Sequence, residues 1–329
     1  MDLSRFFESY IGLFIAQSFS HTFITAIIVH RAIKSWRIKS PALKQKFHYL
    51  AIIFPLAAFP AYQLINPARR NLSFRLGALF DMNRWLTLEI LGKIPGHAVF
   101  ILLLLVTSCI FFFQEALPII RHLLAPQKNA HGEDGGSKAQ VRHVLESLPG
   151  EKPNFFVLDD EDLLLYSTTG KNASIYLSRG LVESLDTEQL RAALAHEIAH
   201  IDRNKKPLLL VVFLFRVILF FNPVVLLEFR RVVQEEEKIC DDMAVMKTGK
   251  PSVLAETLKR LYLPDHGGGK ISMKELGRGE KTFEERSHIL LIQSRITRLE
   301  SKEKEDPGNS WLKIAATIAL VAWINYFIV

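Results

Sequence analysis

Two histidines and a glutamate in the sequence AHEIAHIDR have the types and the spacing of a metal site. His196 and His200 are four residues apart, so on a helix both imidazoles lie on one face and converge on one ion. Glu197 follows the first histidine, about 100° around the helix, where it can reach a water bound by the metal. Imidazole and carboxylate ligands suit zinc, and a catalytic zinc keeps one position open for water. The pattern H-E-x-x-H therefore predicts hydrolytic chemistry, with His196 and His200 as ligands and Glu197 as the catalytic base.

A third ligand is expected from the acidic stretch QEEEKICDDMA that follows. Glu237 and Asp241 are four residues apart on a predicted helix and therefore share a face. H-E-x-x-H followed by E-x-x-x-D on a later helix is the two-helix zinc site of gluzincins. Glu237 is then the third ligand, and Asp241 accepts the remaining N–H of a liganding histidine and fixes its tautomer. The alternative is a solvated acidic face, which we expect for Glu235 and Glu236. The predicted cofactor is one Zn²⁺ per chain.

The elements that must position these side chains form an α+β segment. Three short β-like runs, at 154–158, 163–168 and 173–177, predict a small sheet. The third run either pairs with an extended substrate as an added strand or is an ordinary inner strand. Asp186, with Gln189 three residues later, predicts the N-cap of a helix that runs from about Thr187 through His200.

Apolar blocks explain why 49% of the residues are hydrophobic and why the mean hydropathy is +0.16. A membrane-spanning helix needs about 20 apolar residues. The blocks predict three spans within residues 1–120, at about 10–30, 47–66 and 97–118, and a fourth within 306–329. The first block lacks the basic region and the cleavage site of a signal peptide, so we expect a retained helix. A cytosolic enzyme and a secreted domain are excluded.

The distribution of basic residues predicts the orientation in the membrane. Six cations and no carboxylate follow the first span, which marks that loop as cytoplasmic; they are Arg31, Lys34, Arg37, Lys39, Lys44 and Lys46. The chain is then a multi-pass protein of the bacterial cytoplasmic (inner) membrane with both termini outside. The polar, Gly-rich stretch 121–138 is a linker, and 139–305 is a cytoplasmic domain that carries the active site. Topology explains the net charge of +7, so the lipid bilayer is an expected partner and nucleic acid is not.

The stretch 207–227 between the two metal-binding helices is as apolar as a membrane span, although it contains Arg216. His200 and Glu237 must reach one zinc, so both ends of the stretch lie on one side of the membrane. Two helical crossings need about 40 residues, which this stretch does not have. We therefore expect a membrane-inserted hairpin that breaks at Asn222-Pro223. The alternative is a buried helical pair in a soluble domain.

Further motifs give the chain a family resemblance. They are HEIAH with Arg203 three residues on, Phe221-Asn222-Pro223, and Cys240-Asp241 after Glu237. With them, the chain resembles the BlaR/MecR-type membrane zinc metallopeptidases, whose wider relatives are HtpX-like and CAAX-prenyl-protease-like enzymes. The resemblance implies a mainly α membrane protein with a cytoplasmic α+β gluzincin domain. The chain departs from the family pattern at Lys205, five residues after His200, where relatives often have Asp. The sequence ends at Val329 after the last predicted span, so we expect no penicillin-binding sensor domain.

The activity that follows is zinc-dependent cleavage of peptide bonds in a cytoplasmic or membrane protein, in signal transduction by repressor cleavage. One alternative is a quality-control protease like HtpX. Another is a non-catalytic zinc-binding transducer, against which the presence of Glu197 argues. His288 and Arg295 are candidate oxyanion stabilisers, because relatives have a histidine before an Arg-Ile pair in this region; a plain amphipathic helix is the alternative that the spacing favours. The expected partner is a protein or peptide substrate, and a homodimer remains open.

Overall fold

The computed structural model describes residues 6–7, 9–90, 92–117, 135–168, 170, 172–204, 208–263, 283–301 and 310–329. These residues are mostly helical, with two small sheets. The helices, in chain order, are α1 (Tyr10–Ser35), α2 (Pro41–Ile65), α3 (Leu72–Leu76), α4 (Met82–Thr87), α5 (Gly96–Phe111), α6 (Gly135–Ser147), α7 (Arg179–Ser184), α8 (Thr187–Asn204), α9 (Leu208–Ile218), α10 (Pro223–Thr248), α11 (Pro251–Tyr262), α12 (Phe283–Glu300) and α13 (Ser310–Tyr326). The strands are β1 (Glu89–Ile90), β2 (Ile94–Pro95), β3 (Asn154–Leu158), β4 (Leu165–Ser167) and β5 (Ser174–Ser178).

The chain folds into two compact units. The first comprises Met1–Pro126, Leu208–Glu235 and Glu305–Val329, and the second comprises Gln127–Pro207 and Glu236–Lys304. Most of the predicted linker 121–138 lies outside the described residues, and α6 begins at its end. By this division, the apolar stretch after α8 belongs to the first unit.

Three helices of the first unit are long and apolar enough to cross a membrane: α1, α2 and the segment Gly96–Gln114. They correspond to the three spans predicted near the N-terminus. Helix α13 is also apolar but has 17 residues, which corresponds to a length of about 25 Å. The predicted fourth crossing therefore needs a further argument.

Contacts at the two ends of α13 supply that argument. Near its start, Ile314 packs against a cluster that includes Ile38, in the cation-rich loop after α1. Beyond its end, the Val329 amide donates to the Phe80 carbonyl (2.9 Å), in the loop between α2 and α5. Since the sequence assigns these two loops to opposite sides of the membrane, the contacts support a fourth crossing by residues 310–329.

The apolar stretch after α8 is a helical hairpin. Helix α9 ends at Ile218 and α10 begins at Pro223, so the break falls where Asn222-Pro223 predicts it. The Asn222 side chain caps α10 by accepting from the Val224 amide (3.0 Å), and its amide group donates to Thr22 Oγ1 of α1 (3.1 Å). The hairpin packs on α2 through a buried cluster of Tyr49, Ile52, Val212, Leu219, Val225 and Val232.

The buried Arg216 and an exposed apolar stripe distinguish the two faces of α9. The Arg216 guanidinium lies over the Phe111 ring, 4.6 Å from its centroid. On the other face, Leu210, Leu214 and Ile218 are exposed at a spacing of four residues. A buried pair inside a soluble domain would not leave such a stripe uncovered. The exposure therefore favours the predicted membrane hairpin.

The second unit contains the predicted small sheet, in the strand order β3-β5-β4. Strand β5 pairs in parallel with β3 and antiparallel with β4, so both of its edges are occupied. The alternative that this strand pairs with a substrate is therefore wrong, and it is an inner strand.

Helix α8 begins with the predicted capping box and lies against this sheet. Asp186 Oδ1 accepts from the Gln189 amide (2.8 Å), and Gln189 Oε1 accepts from the Asp186 amide (3.3 Å). One face of α8 is fixed in the core of the unit by Leu190, Leu194 and Ile198, which pack with residues of β5.

We expect single cysteines at the two membrane faces to react from opposite sides. Ser40→Cys and Ser310→Cys should be labelled by an impermeant maleimide only after the cytoplasmic face is opened, and Asn71→Cys should be labelled in intact cells. Cys109 should first be changed to Ser; Cys240 is fully buried and can stay as an internal control for unfolding. Labelling of Ser310→Cys and Asn71→Cys from the same side would refute the fourth crossing.

Candidate active site

Three donor atoms from two helices converge in the second unit. His196 and His200 of α8 direct their Nε2 atoms towards one point, and these two atoms are 3.1 Å apart. The Glu237 carboxylate of α10 faces both rings, with Oε2 at 3.5 Å from His196 Nε2 and Oε1 at 3.4 Å from His200 Nε2. The structure thus brings together the three residues that the sequence predicts as metal ligands.

The spacing of these atoms fits a zinc ion. Ligand atoms placed tetrahedrally at about 2.0–2.1 Å from zinc are about 3.3 Å apart. The two Nε2 atoms are 3.1 Å apart, and each lies 3.4–3.5 Å from one of the two Glu237 oxygens, which is close to this value. Two imidazole nitrogens and a carboxylate are also a donor set that zinc accepts, so the residues present fit the metal that the sequence predicts.

The buried carboxylate of Asp241 lies behind His196. Its Oδ1 is 3.2 Å from His196 Nδ1, the ring nitrogen on the side away from the other ligands. Arg295 of α12 grips the same carboxylate with two hydrogen bonds, from Nε to Oδ2 (2.8 Å) and from Nη2 to Oδ1 (2.7 Å). Its third nitrogen, Nη1, lies 2.8 Å from Glu237 Oε2. One guanidinium therefore joins the proposed ligand Glu237 to the carboxylate that orients His196.

These contacts separate the pKa values of the groups. Burial alone would lower the pKa of His196, but the Asp241 and Glu237 carboxylates raise it to about 9. Burial and the neighbouring His196 lower the pKa of His200. Burial alone would raise the pKa of Asp241, but its contacts with Arg295 and His196 hold it at about 2. The pKa of Glu237 is also lowered, because His196 and Arg295 outweigh its burial.

His200 has a different neighbour behind its ring. The Cys240 sulfur is 3.4 Å from His200 Nδ1, and burial raises the pKa of this thiol. Cys240 precedes Asp241 on α10, so two adjacent residues support the two histidines. The sequence analysis noted Cys240 only as part of the Cys240-Asp241 motif, because its place behind His200 depends on how α8 and α10 cross.

The expectation of a solvated acidic face before Glu237 is wrong. Glu235 and Glu236 are only 7% and 6% exposed. Arg203 of α8 holds Glu236 with a pair of hydrogen bonds, from Nε at 2.8 Å and from Nη2 at 2.6 Å. This bidentate contact is a second polar interaction between α8 and α10, the helices that carry the proposed ligands.

Two further side chains complete the surroundings of the site. Glu197 is buried, and its charge acts on both His200 and Tyr262. Burial raises the pKa of Tyr262, the last residue of α11, which also feels the charges of Arg295 and Glu237. The sequence analysis missed Tyr262, since a tyrosine at a helix end has no distinguishing motif. His288 belongs to α12, but its side chain lies outside the described part of the structure.

Comparison with known proteins identifies relatives of this region. The family described as BlaR1 peptidase M56 matches residues 168–259, which include the proposed ligands, Glu197 and Asp241. Two proteins named protease HtpX homolog, from two strains of Bacteroides fragilis, are each 35% identical to the chain over 78 residues. The predicted resemblance to BlaR/MecR-type and HtpX-like membrane metallopeptidases is confirmed.

The shared region is limited in length. The match to the HtpX homologs covers 23% of this chain and 24% of each relative, so it spans about a quarter of their length. The family match ends before α12, which supplies Arg295. The contribution of α12 to the site therefore follows from the structure rather than from the comparisons.

We expect zinc binding to release about one proton per chain at pH 7. A ligand must be deprotonated, and His196, with its pKa raised to about 9, carries a proton that the metal has to displace. The lowered pKa values of His200 and Glu237 leave those groups ready to bind. Calorimetric titration of the metal-free protein in buffers of different ionisation enthalpy gives the proton count. A count near zero would contradict the charged state of His196.

We expect Arg295→Met to destabilise the metal-free second unit strongly. Removing one partner of a buried ion pair costs about 3–5 kcal/mol, and here it leaves the buried Asp241 carboxylate without its two hydrogen bonds from Arg295. Arg298→Met on the same helix is the matched control, because Arg298 pairs with the more exposed Asp242 and such pairs contribute about 0–1 kcal/mol. Thermal denaturation in detergent, followed by circular dichroism, measures both. Equal effects of the two variants would contradict the central position of Arg295.

Proposed function

We propose that the chain is an integral-membrane zinc endopeptidase that hydrolyses peptide bonds of a cytoplasmic or membrane protein. The observation that carries the proposal is the convergence of His196, His200 and Glu237 at separations of 3.1–3.5 Å, with Glu197 next in sequence to the first ligand. A purely structural zinc site needs no such base. The resemblance to BlaR1 and HtpX proteases supports the same class of activity.

The metal would be held by the two histidines of α8 and by Glu237 of α10. When bound, zinc supplies Lewis-acid polarisation of the scissile carbonyl and lowers the pKa of water towards about 7. Asp241 orients His196 from behind, with its oxygen 3.2 Å from Nδ1, and keeps Nε2 directed to the site. Cys240 has the corresponding position behind His200.

Glu197 acts as the general base and then as the general acid. Its carboxylate takes a proton from the attacking water while the water oxygen bonds to the carbonyl carbon. The same proton is then delivered to the amide nitrogen as the carbon–nitrogen bond breaks. The products are a carboxylic acid and an amine, and Glu197 returns to its starting state.

Arg295 serves as a positioning residue in this proposal. Its guanidinium already contacts Asp241 through two nitrogens and Glu237 through the third. These contacts use three of its five N–H donors, one on each nitrogen. We propose that Arg295 fixes the positions of the Glu237 and Asp241 carboxylates relative to each other. This role differs from the oxyanion stabilisation considered from the sequence.

Two physiological uses of such a peptidase remain as alternatives. One is signalling by cleavage of a single repressor, as the resemblance to BlaR/MecR-type proteins suggests. The other is quality control of damaged membrane proteins, which the likeness to protease HtpX homologs favours. The number of substrates separates them, because a signalling protease cuts few proteins and a quality-control protease cuts many.

We expect Glu197→Gln to keep the metal and lose the activity. The substitution removes the base but no ligand, so cleavage should fall by about 10²–10⁴-fold with zinc still near one per chain. Glu237→Ala should lose the zinc, and Glu256→Gln, an exposed glutamate on α11, is the matched control that should change neither. Elemental analysis and quantitative mapping of new protein N-termini in cells report the two properties.

Two results would overturn the proposal. Full zinc content in Glu237→Ala would reject this residue as a ligand. Identical sets of cleaved proteins in the wild type and in Glu197→Gln would reject the peptidase and leave a zinc-binding transducer. The length of the wild-type list decides between the signalling and the quality-control alternatives.

A further inference from the structure

A groove between α1 and α10 lies entirely within the first unit, and none of the proposed zinc ligands lines it. It is a cavity of about 760 Å³ formed by residues 23–34 of α1 and residues 224–231 of α10. We propose that this groove binds an anionic phospholipid, with the phosphate at its cationic end and an acyl chain along its apolar end. The proposal requires α1 to cross the membrane and does not depend on the peptidase activity.

Both helices change from apolar to cationic in the same direction along the groove. At the apolar end, Phe23 and Ile27 of α1 are 49% and 44% exposed, and Leu227 of α10 is 51% exposed. At the other end are Arg31 and Lys34 of α1 and Arg231 of α10. The groove therefore has the two-part character of a lipid, which is apolar along its chains and charged at its headgroup.

Contacts between the helices fix the level at which the change occurs. His30 Nδ1 of α1 lies 3.8 Å from Glu228 Oε1 of α10. His30 directly precedes Arg31 on α1, and Glu228 lies within one turn of Arg231 on α10. The cationic ends of α1 and α10 are thus at the same depth, next to the cation-rich loop that the sequence assigns to the cytoplasmic side.

The carboxylate that lines the groove is already compensated. Glu228 is fully buried, its Oε2 is 2.7 Å from His48 Nδ1, and its Oε1 contacts Arg231 of the same helix. Arg31 and Lys34, in contrast, are exposed and form no salt bridge with any carboxylate among the described residues. The charge that the groove offers to a ligand is therefore positive.

An anionic lipid satisfies both halves of the groove. A phosphodiester without a second positive charge in its headgroup, as in phosphatidylglycerol, pairs with Arg31 and Lys34. Cations near a membrane surface contribute about 1 kcal/mol each towards an anionic lipid, and basic pockets between spanning helices are known to bind such headgroups. A free phosphate would use the cations but would leave Phe23, Ile27 and Leu227 uncovered.

The experiment compares lipids and variants on the full chain in detergent. Native mass spectrometry measures the apparent affinity for phosphatidylglycerol and for phosphatidylcholine with the same acyl chains. The double variant Arg31→Gln/Lys34→Gln removes the two groove cations that we propose pair with the phosphate; Arg231 keeps its contact with Glu228. Arg37→Gln/Lys46→Gln removes two cations outside the groove, one from the loop between α1 and α2 and one near the start of α2, and is the matched control, since both variants have the same net charge.

We expect the wild type to prefer phosphatidylglycerol and the groove variant to bind it about thirtyfold more weakly, from two cations at about 1 kcal/mol each. The control should keep nearly the wild-type affinity, and the single variants Arg31→Gln and Lys34→Gln should each lose about fivefold. Since both side chains are exposed, these variants should fold, which their circular dichroism verifies.

Three results would overturn the proposal. Equal losses in the groove variant and in the control would mean a diffuse attraction to the loop instead of a site. Equal affinity of the wild type for the two lipids would mean that the headgroup charge is not read. Displacement of the lipid by glycerol phosphate or inorganic phosphate at low millimolar concentration would mean a site for a free anion.

Discussion

The buried charge of Asp241 is the constraint on which the proposed site depends. A carboxylate with no exposure must be paired, and Arg295 of α12 supplies the pair through two hydrogen bonds. The same guanidinium reaches Glu237, and the same carboxylate faces His196. Three helices that are far apart in sequence are thereby joined at one point. The bidentate contact of Arg203 with Glu236 fixes the crossing of α8 and α10 a short distance away.

Local sequence patterns predicted the parts of the fold that depend on local structure. The helix with H-E-x-x-H, its capping box, the three β runs and the break at Asn222-Pro223 are determined by residues within a few positions of one another. Glu237 was predictable because its spacing from Asp241 is helical. The three spans near the N-terminus were predictable because each one is a continuous apolar block of sufficient length.

The rest depends on contacts between distant segments. Glu235 and Glu236 were expected to be solvated because a run of glutamates is usually exposed, and only the crossing with α8 buries Glu236 against Arg203. From the sequence, Arg295 was a candidate oxyanion stabiliser only, because its hydrogen bonds with Asp241 depend on how α12 packs against α10. Whether β5 was an inner strand depended on β4, which closes its second edge.

The membrane unit shows how polar side chains specify packing where hydrophobicity gives no direction. In a bilayer every helix surface is apolar, so hydrogen bonds between helices select the partners. Asn222 of the hairpin donates a hydrogen bond to Thr22 of α1. Asn325 of α13 forms a hydrogen bond with His21, which is also on α1 (2.9 Å). Helix α1 is therefore the common partner against which both later segments are aligned.

The formal charges of the groups around the two histidines can be compared with the charge of the proposed metal ion. Four carboxylates, those of Glu197, Glu236, Glu237 and Asp241, act on these imidazoles or contact them, and two guanidiniums, Arg203 and Arg295, are paired with members of that set. With neutral histidines the sum is two negative charges. A monovalent ion would leave this set of charges at minus one, and a trivalent ion would bring it to plus one. With the proposed zinc bound, the formal charges of this set would sum to zero, and the two arginines contribute half of the positive charge in that sum.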